Sequence, residues 1–211
     1  MEGAPSGLPI PVLRFCVRTF MSTLVFVRHG ITDWNVDGRF QGQLDIPLNA
    51  AGRRQAEAVR THLSSIAFDH VYASPLKRAE ETARIVAGHQ RVVADWRLAE
   101  IHHGDWQGMT KEEVASQWPD EWATWNKDPL RTKTSGGESH NDVRRRVQDF
   151  LTMLTDDSVL CVSHGVVIQT VREILLGTAF ETRALPPRNA SVHTFTFGPD
   201  NVARYKVEQV I

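Results

Sequence analysis

The sequence predicts an α/β protein: a three-layer α/β/α sandwich whose central sheet is mostly parallel, with antiparallel edge strands. Two short apolar runs, LVFV at residues 24–27 and VLCV at residues 159–162, are rich in β-branched and aromatic side chains. Such runs read as strands buried on both faces, as in a parallel sheet covered by helices. Helix-spaced apolar stripes separate them. At the carboxyl end, SVHTFTF and VARYKVEQV flank the turn Gly198-Pro199-Asp200-Asn201 and alternate with period two, which predicts a hairpin on the sheet edge.

At 211 residues the chain is long enough for one domain with a full core and short for two, so residues 21–211 are expected to form a single domain. The first twenty residues hold three prolines and two glycines ahead of a run broken by Arg14 and Arg18, too interrupted for a signal-peptide core. Met21 opens a natural start, so residues 1–20 are expected to be a poorly ordered tail or a start-site artefact. A net charge of -1 and a pI near 6.8 leave no electrostatic footprint for nucleic acid. No run of 18 apolar residues exists, so no membrane partner is expected. The two cysteines, Cys16 and Cys161, make no disulfide framework, which fits a cytoplasmic location, and Cys161 reads as core. Oligomeric state leaves no signal in the sequence.

Arg28, His29 and Gly30 follow the first strand directly, and Ser163, His164 and Gly165 follow the second. Both pairs of polar side chains are thereby placed at the carboxyl ends of strands, where open α/β sheets put their ligands. Neighbouring strands would bring the two imidazoles together.

Residues 31–48 have no lasting periodicity and read as a loop that offers Thr32, Asn35, Arg39 and Gln41 close behind His29. Asn35 and Gln41 serve either ligand binding or local turn chemistry. Asn49 is expected to cap a helix over 51–63 with Ala56, Val59 and Leu63 on one face. Residues 68–73 form the next strand. Ser74-Pro75 then predicts a helix running to about Gly88, with a hydroxyl cap and proline at the first position. Arg78 lies near that helix start, either as a phosphate ligand or as an ion-pair partner of Glu81.

Residues 91–94 read as a short edge strand, and 97–108 as another loop. Its Glu100, set among Leu98 and Ile101, is a candidate for a raised pKa, as a proton donor near neutral pH needs. His102, His103 and Asp105 match no usual ligand spacing and are read as non-ligands, so no metal is expected. Residues 111–125 read as one helix, and Trp106, Trp118, Trp122 and Trp125 pack a core or wall a pocket. A helix over 139–154 carries Val143, Val147, Phe150, Leu151 and Leu154 as its stripe. A last helix over 166–176 is closed by Gly177.

The ordered set Arg28-His29, Arg78, Glu100 and His164 resembles the histidine phosphatase superfamily, also called the phosphoglycerate mutase-like family. The matching stretches are RHGITDWN at 28–35, RFQG at 39–42, SPLKRAEETA at 74–83, LAEIHHGDWQG at 98–108, GGES at 136–139 and VSHG at 162–165. They stand in family order and cover nearly everything from residue 23 onward. The resemblance implies that His29 is the nucleophile that becomes phosphohistidine. Arg28, Arg78 and His164 would bind the phosphoryl oxygens, with Asn35, Gln41 and Gly42 also on the substrate. Glu100 matches the family's proton donor. Guanidinium forks suit phosphate oxygens, and transfer to imidazole splits one hard step into two, so no cofactor is expected.

Two activities compete within the family. Mutases typically carry a Trp where this chain has Gln43 and a Tyr where it has His103, and are longer after the Glu block. The departures imply the phosphatase branch: a metal-independent hydrolase of a small-molecule phosphate ester. A 2,3-bisphosphoglycerate-dependent phosphoglycerate mutase is the alternative, and a non-catalytic phospholigand-binding module is the alternative of another class. Specificity is expected in residues 31–48 and 105–135, with Trp106 acting on substrate ranking.

Overall fold

The computed structural model of the protein describes residues 23–129, 131–154, 158–178, 187–198 and 202–210. The expected tail at 1–20 and residues 199–201 of the hairpin turn lie outside them. Six strands form one sheet: β1 (Thr23–Arg28), β2 (His70–Ala73), β3 (Val92–Ala94), β4 (Val159–Ser163), β5 (Ser191–Phe197) and β6 (Ala203–Gln209), in spatial order β3-β2-β4-β1-β5-β6. The first four run parallel, β5 pairs antiparallel to β1 and β6 antiparallel to β5, so the antiparallel pairings lie together at one edge.

The apolar runs are continuous because both faces of the sheet are covered. Val25 and Val27 face α2 (Ala50–His62) and α3 (Lys77–Ala87), where they pack with Ala56, Val59, Ala79 and Ala83. Leu24 and Phe26 point the other way, onto Val143, Val147 and Phe150 of α6 (His140–Met153) and Val167, Ile168 and Val171 of α7 (Gly165–Leu176). Strand geometry alternates side chains between faces, so one four-residue run feeds two cores. Burying each such side chain contributes about 1.5–3 kcal/mol. Cys161 sits fully inside, as expected.

Local signals set the helix ends. Asn49 accepts from Gly52 N–H, Ser139 and Asp142 form a capping box at α6, and Gly177 closes α7 in the left-handed region. Three expectations need correction. The loop at 31–48 contains one helical turn, α1 (Asp33–Val36), held by a capping box between Thr32 and Asn35. The single helix expected over 111–125 is two, α4 (Lys111–Gln117) and α5 (Pro119–Lys127). Pro119 supplies no N–H and drives Trp118 out of the helical region, to φ -130° and ψ 61°. Helix α3 starts at Lys77, and Ser74 does not cap it: Leu76 holds that position, while Asp45 from the preceding loop accepts from Lys77 N–H at 2.7 Å.

Candidate active site

Adjacent strands β1 and β4 pair in register, Arg28 opposite Ser163. Helix α2, after the loop that leaves β1, packs on one face of the sheet and α7, which follows β4, packs on the other. Their carboxyl ends therefore flank a topological switch point, where diverging connections leave a crevice. His29 and His164 stand there side by side. His29 N–H donates to Ser163 C=O at 3.0 Å, and the two ring centroids are 5.1 Å apart.

His29 is nearly fully buried, and its Nδ1 lies 2.7 Å from Gly30 C=O. A carbonyl only accepts, so Nδ1 carries the hydrogen. Burial, reinforced by the charges of Arg78 and Arg28, holds the imidazole pKa well below its usual value. The ring is thus neutral near pH 7, with its lone pair on Nε2. Gly30 is required for a reason the sequence does not announce: a Cβ there would stand 2.4 Å from Gly52 C=O. Asn189 Nδ2 donates to His29 C=O at 3.0 Å and Thr82 Oγ1 accepts from Gly30 N–H at 3.1 Å, so the turn is held from both sides.

Arg78 is 1% exposed, and its two terminal nitrogens donate to Leu44 C=O at 2.8 Å and Gly42 C=O at 2.7 Å. Glu81 pairs with Arg53 at 2.6 Å, so the alternative ion pair is not made. Burial lowers the Arg78 pKa to about 10, against the attraction of Glu100. Arg28 donates to Pro187 C=O, and burial lowers its pKa as well. The Nε atoms of both arginines are buried without a partner among the described residues. Two desolvated guanidiniums answered chiefly by neutral carbonyls make a site that favours an anion with several oxygens.

Glu100 keeps part of its surface exposed, yet desolvation raises its carboxyl pKa, opposed by Ile101 N–H at 3.0 Å and by Arg28, Arg78 and Arg146. Its backbone is clamped. Arg146 of α6 donates to the carbonyls of Ala99 at 2.6 Å, Arg97 at 2.9 Å and Glu100 at 3.2 Å. Arg146 also pairs with Glu138 at 3.1 Å, and Gln43 Nε2 donates to Glu100 C=O at 2.9 Å. His164 is fully buried; its Nε2 lies 2.7 Å from Ser74 Oγ and its Nδ1 has no partner among the described residues.

Arg28, His29, Arg78, Glu100 and His164 are therefore brought together, each coupled electrostatically to at least one other of the set. Gly42 joins them through its carbonyl, with φ +53° and no room for a Cβ against Gln107. Gln41 is buried beside it, its Oε1 unpartnered among the described residues. Asn35 is used structurally: its Oδ1 accepts from Thr32 N–H and Oγ1–H at 3.1 Å each and from Asn189 at 3.2 Å, leaving only its NH₂ for a ligand. Sequence reasoning missed Ser74, Gln43, Glu138, Arg146 and Asn189, which reach the site residues or the Glu100 loop across 36 to 160 positions with no local signature.

Trp106 belongs to the core. It is fully buried against Phe40, Trp122 and Trp125 at 5.6–5.7 Å between ring centroids. His103 packs on Phe40 at 4.8 Å, and burial takes its pKa down to about 3. No group of three or more His, Cys, Asp or Glu among the described residues is placed to hold a metal.

Comparison with known proteins fits this arrangement. The chain is 37% identical over 163 residues to phosphoserine phosphatase 1 of Hydrogenobacter thermophilus, covering 74% of this chain and 77% of the relative. It is 34% identical over 167 residues to 2,3-bisphosphoglycerate-dependent phosphoglycerate mutase 2 of Gloeobacter violaceus, covering 74% and 75%. The structure of a mycobacterial glucosyl-3-phosphoglycerate phosphatase superimposes with a TM-score of 0.77 at 30% identity, over 90% of this chain and 98% of that one. The family model described as histidine phosphatase superfamily (branch 1) matches residues 24–208, and the chain belongs to that superfamily.

Proposed function

We propose that the protein is a metal-independent phosphomonoester hydrolase of small phosphorylated metabolites, working through a phosphohistidine on His29, in one domain over residues 21–211 of a cytoplasmic protein. The observation that carries this reading is the Nδ1–H of His29 held on Gly30 C=O, which leaves Nε2 unprotonated beside two buried guanidiniums. Arg28, Arg78 and the Nδ1 side of His164 bind the phosphoryl oxygens of the dianion, placed where charge builds in the transition state. Nε2 of His29 attacks phosphorus, the ester P–O bond breaks, and the Glu100 carboxyl gives its proton to the leaving oxygen. In the second step Glu100, now a carboxylate, takes a proton from water. That water attacks phosphorus, the P–N bond breaks, and inorganic phosphate leaves with His29 restored. Asn35, Gln41 and Gly42 complete the substrate contacts. No described helix is long and apolar enough to cross a membrane, and the buried free thiol of Cys161 suits a reducing compartment.

Hydrolysis is favoured over mutase activity by Gln43 and His103 at the two family positions, and the mutase named among the relatives keeps the second reading in play. Phosphate release in EDTA from phosphoserine, 3-phosphoglycerate and glucosyl-3-phosphoglycerate, with 2-phosphoglycerate followed in the same tubes, separates them. Release without isomerisation is expected. Isomerisation dependent on 2,3-bisphosphoglycerate would make it a mutase, and absence of any covalent label on His29 would make it a binding module.

A further inference from the structure

We infer that Ser74 is a positioning residue that fixes the neutral tautomer of His164, holding the hydrogen on Nδ1 so that this edge donates to a phosphoryl oxygen. The inference rests on the reading of His164 as a phosphoryl ligand. Its ground is geometric. Ser74 and His164 are both fully buried, and Ser74 Oγ to His164 Nε2, at 2.7 Å, is the one hydrogen bond of that imidazole among the described residues. Ser74 N–H donates to Val162 C=O at 3.0 Å, continuing the β2 to β4 pairing one residue past the strand, and this sets the hydroxyl against the ring. Leu76 N–H donates to the same Oγ at 3.3 Å. An oxygen already accepting there is poised to turn its own hydrogen toward Nε2.

The choice matters because a neutral imidazole has only one N–H. Burial, with the charges of Arg78, Arg28 and Arg146 acting on the ring, holds the His164 pKa well below its usual value, so the imidazole is neutral near pH 7. With the hydrogen on Nε2, Nδ1 would turn a lone pair on the phosphate and repel it. With Ser74 donating to Nε2, Nδ1–H becomes a fixed donor without any need for an imidazolium. The helix-cap role that Ser74-Pro75 suggests from sequence is not the one it performs, since Leu76 holds the cap of α3.

Two-bond ¹H–¹⁵N spectra of histidine-labelled protein report the tautomer, with His164→Gln identifying the signal. Wild type should show Nδ1–H at His164 and Ser74→Ala a shift toward Nε2–H; Nε2–H in wild type, or Nδ1–H retained in Ser74→Ala, overturns the inference. Inorganic phosphate should bind Ser74→Ala about tenfold more weakly, the factor expected for a buried hydrogen-bond partner lost, with an unchanged circular dichroism spectrum. Ser74→Ala should also regain kcat/KM toward acid relative to wild type, because an imidazolium donates from both nitrogens, and Ser74→Thr should restore binding. Unchanged phosphate affinity in Ser74→Ala also overturns it. The tautomer is read on the free protein, so absence of turnover on every ester would sink the phosphatase reading alone.

Discussion

The ends of β1 and β4 carry the same short motif, an apolar strand followed by His-Gly, and the structure gives the two histidines opposite edges. His29 has Nδ1 tied to a backbone carbonyl, so Nε2 is left as a nucleophile. His164 has Nε2 tied to a side-chain hydroxyl, so Nδ1 is left over. A carbonyl admits one answer about where the hydrogen sits; a hydroxyl admits two and is set by its own neighbours. Identical sequence words thus take different chemical meanings from what meets the far side of the ring.

The widest gap between the two should appear on removing each imidazole. His29→Ala should lose on the order of 10⁴-fold or more in kcat/KM and all covalent phosphate labelling. His164→Ala should lose on the order of 10² and still label, because it removes one donor to the phosphoryl group and not the attacking atom. Labelled-substrate trapping with acid quench checks both. Equal losses would erase the distinction, and wild-type turnover in His29→Ala would falsify the mechanism.

A control in the buried aromatic cluster comes next in size. Trp106→Ala should destabilise the fold by about 3–5 kcal/mol in urea unfolding, as expected for a buried indole. Substrate ranking should stay as in wild type among molecules that remain folded. A changed ranking at unchanged stability would return Trp106 to the pocket wall. Glu100→Gln then tests the proton donor. It should cost on the order of 10² on alkyl phosphates and much less on p-nitrophenyl phosphate, whose leaving oxygen needs little protonation. Equal losses on both substrates would remove Glu100 from that role.

Much of this was legible in the sequence because it is local. Buried strands declare themselves as unbroken apolar runs, and Asn49, Ser139 and Gly177 announce helix ends within three or four residues. The site residues stood out only as a set, since RHG or a lone Arg78 has an ordinary reading on its own. Pro119 is visible in the sequence, but the break it forces at Trp118 lies inside a continuous helix-like pattern that reads as one element. Ser74 followed by Pro75 mimics a cap so well that its contact with His164, 90 positions away, was hidden. The Arg146 and Glu138 clamp on the Glu100 loop is likewise tertiary, and α6 shows only a helix with a charged face.

The smallest effect is the most general, because it asks what burying neutral imidazoles costs in acid. Besides His29 and His164, burial holds His103 at about 3 and His140 and His193 at about 4. Each titrates near 6.5 in the unfolded chain. Between those values the unfolded state binds more protons than the folded one, so stability is full above about pH 6.5 and falls as pH drops toward 4. Each histidine contributes a slope of up to about 1.4 kcal/mol per pH unit in that window. Glu100 opposes this, since its raised folded pKa makes the native state take up its proton first. Urea midpoints from pH 7 to pH 4.5 should therefore decline steeply in wild type and less steeply in both His29→Ala and His164→Ala. Slopes in His29→Ala and His164→Ala equal to that of wild type would mean that the two rings are already charged in the folded protein, and the tautomer contrast between the strand ends would fall with it.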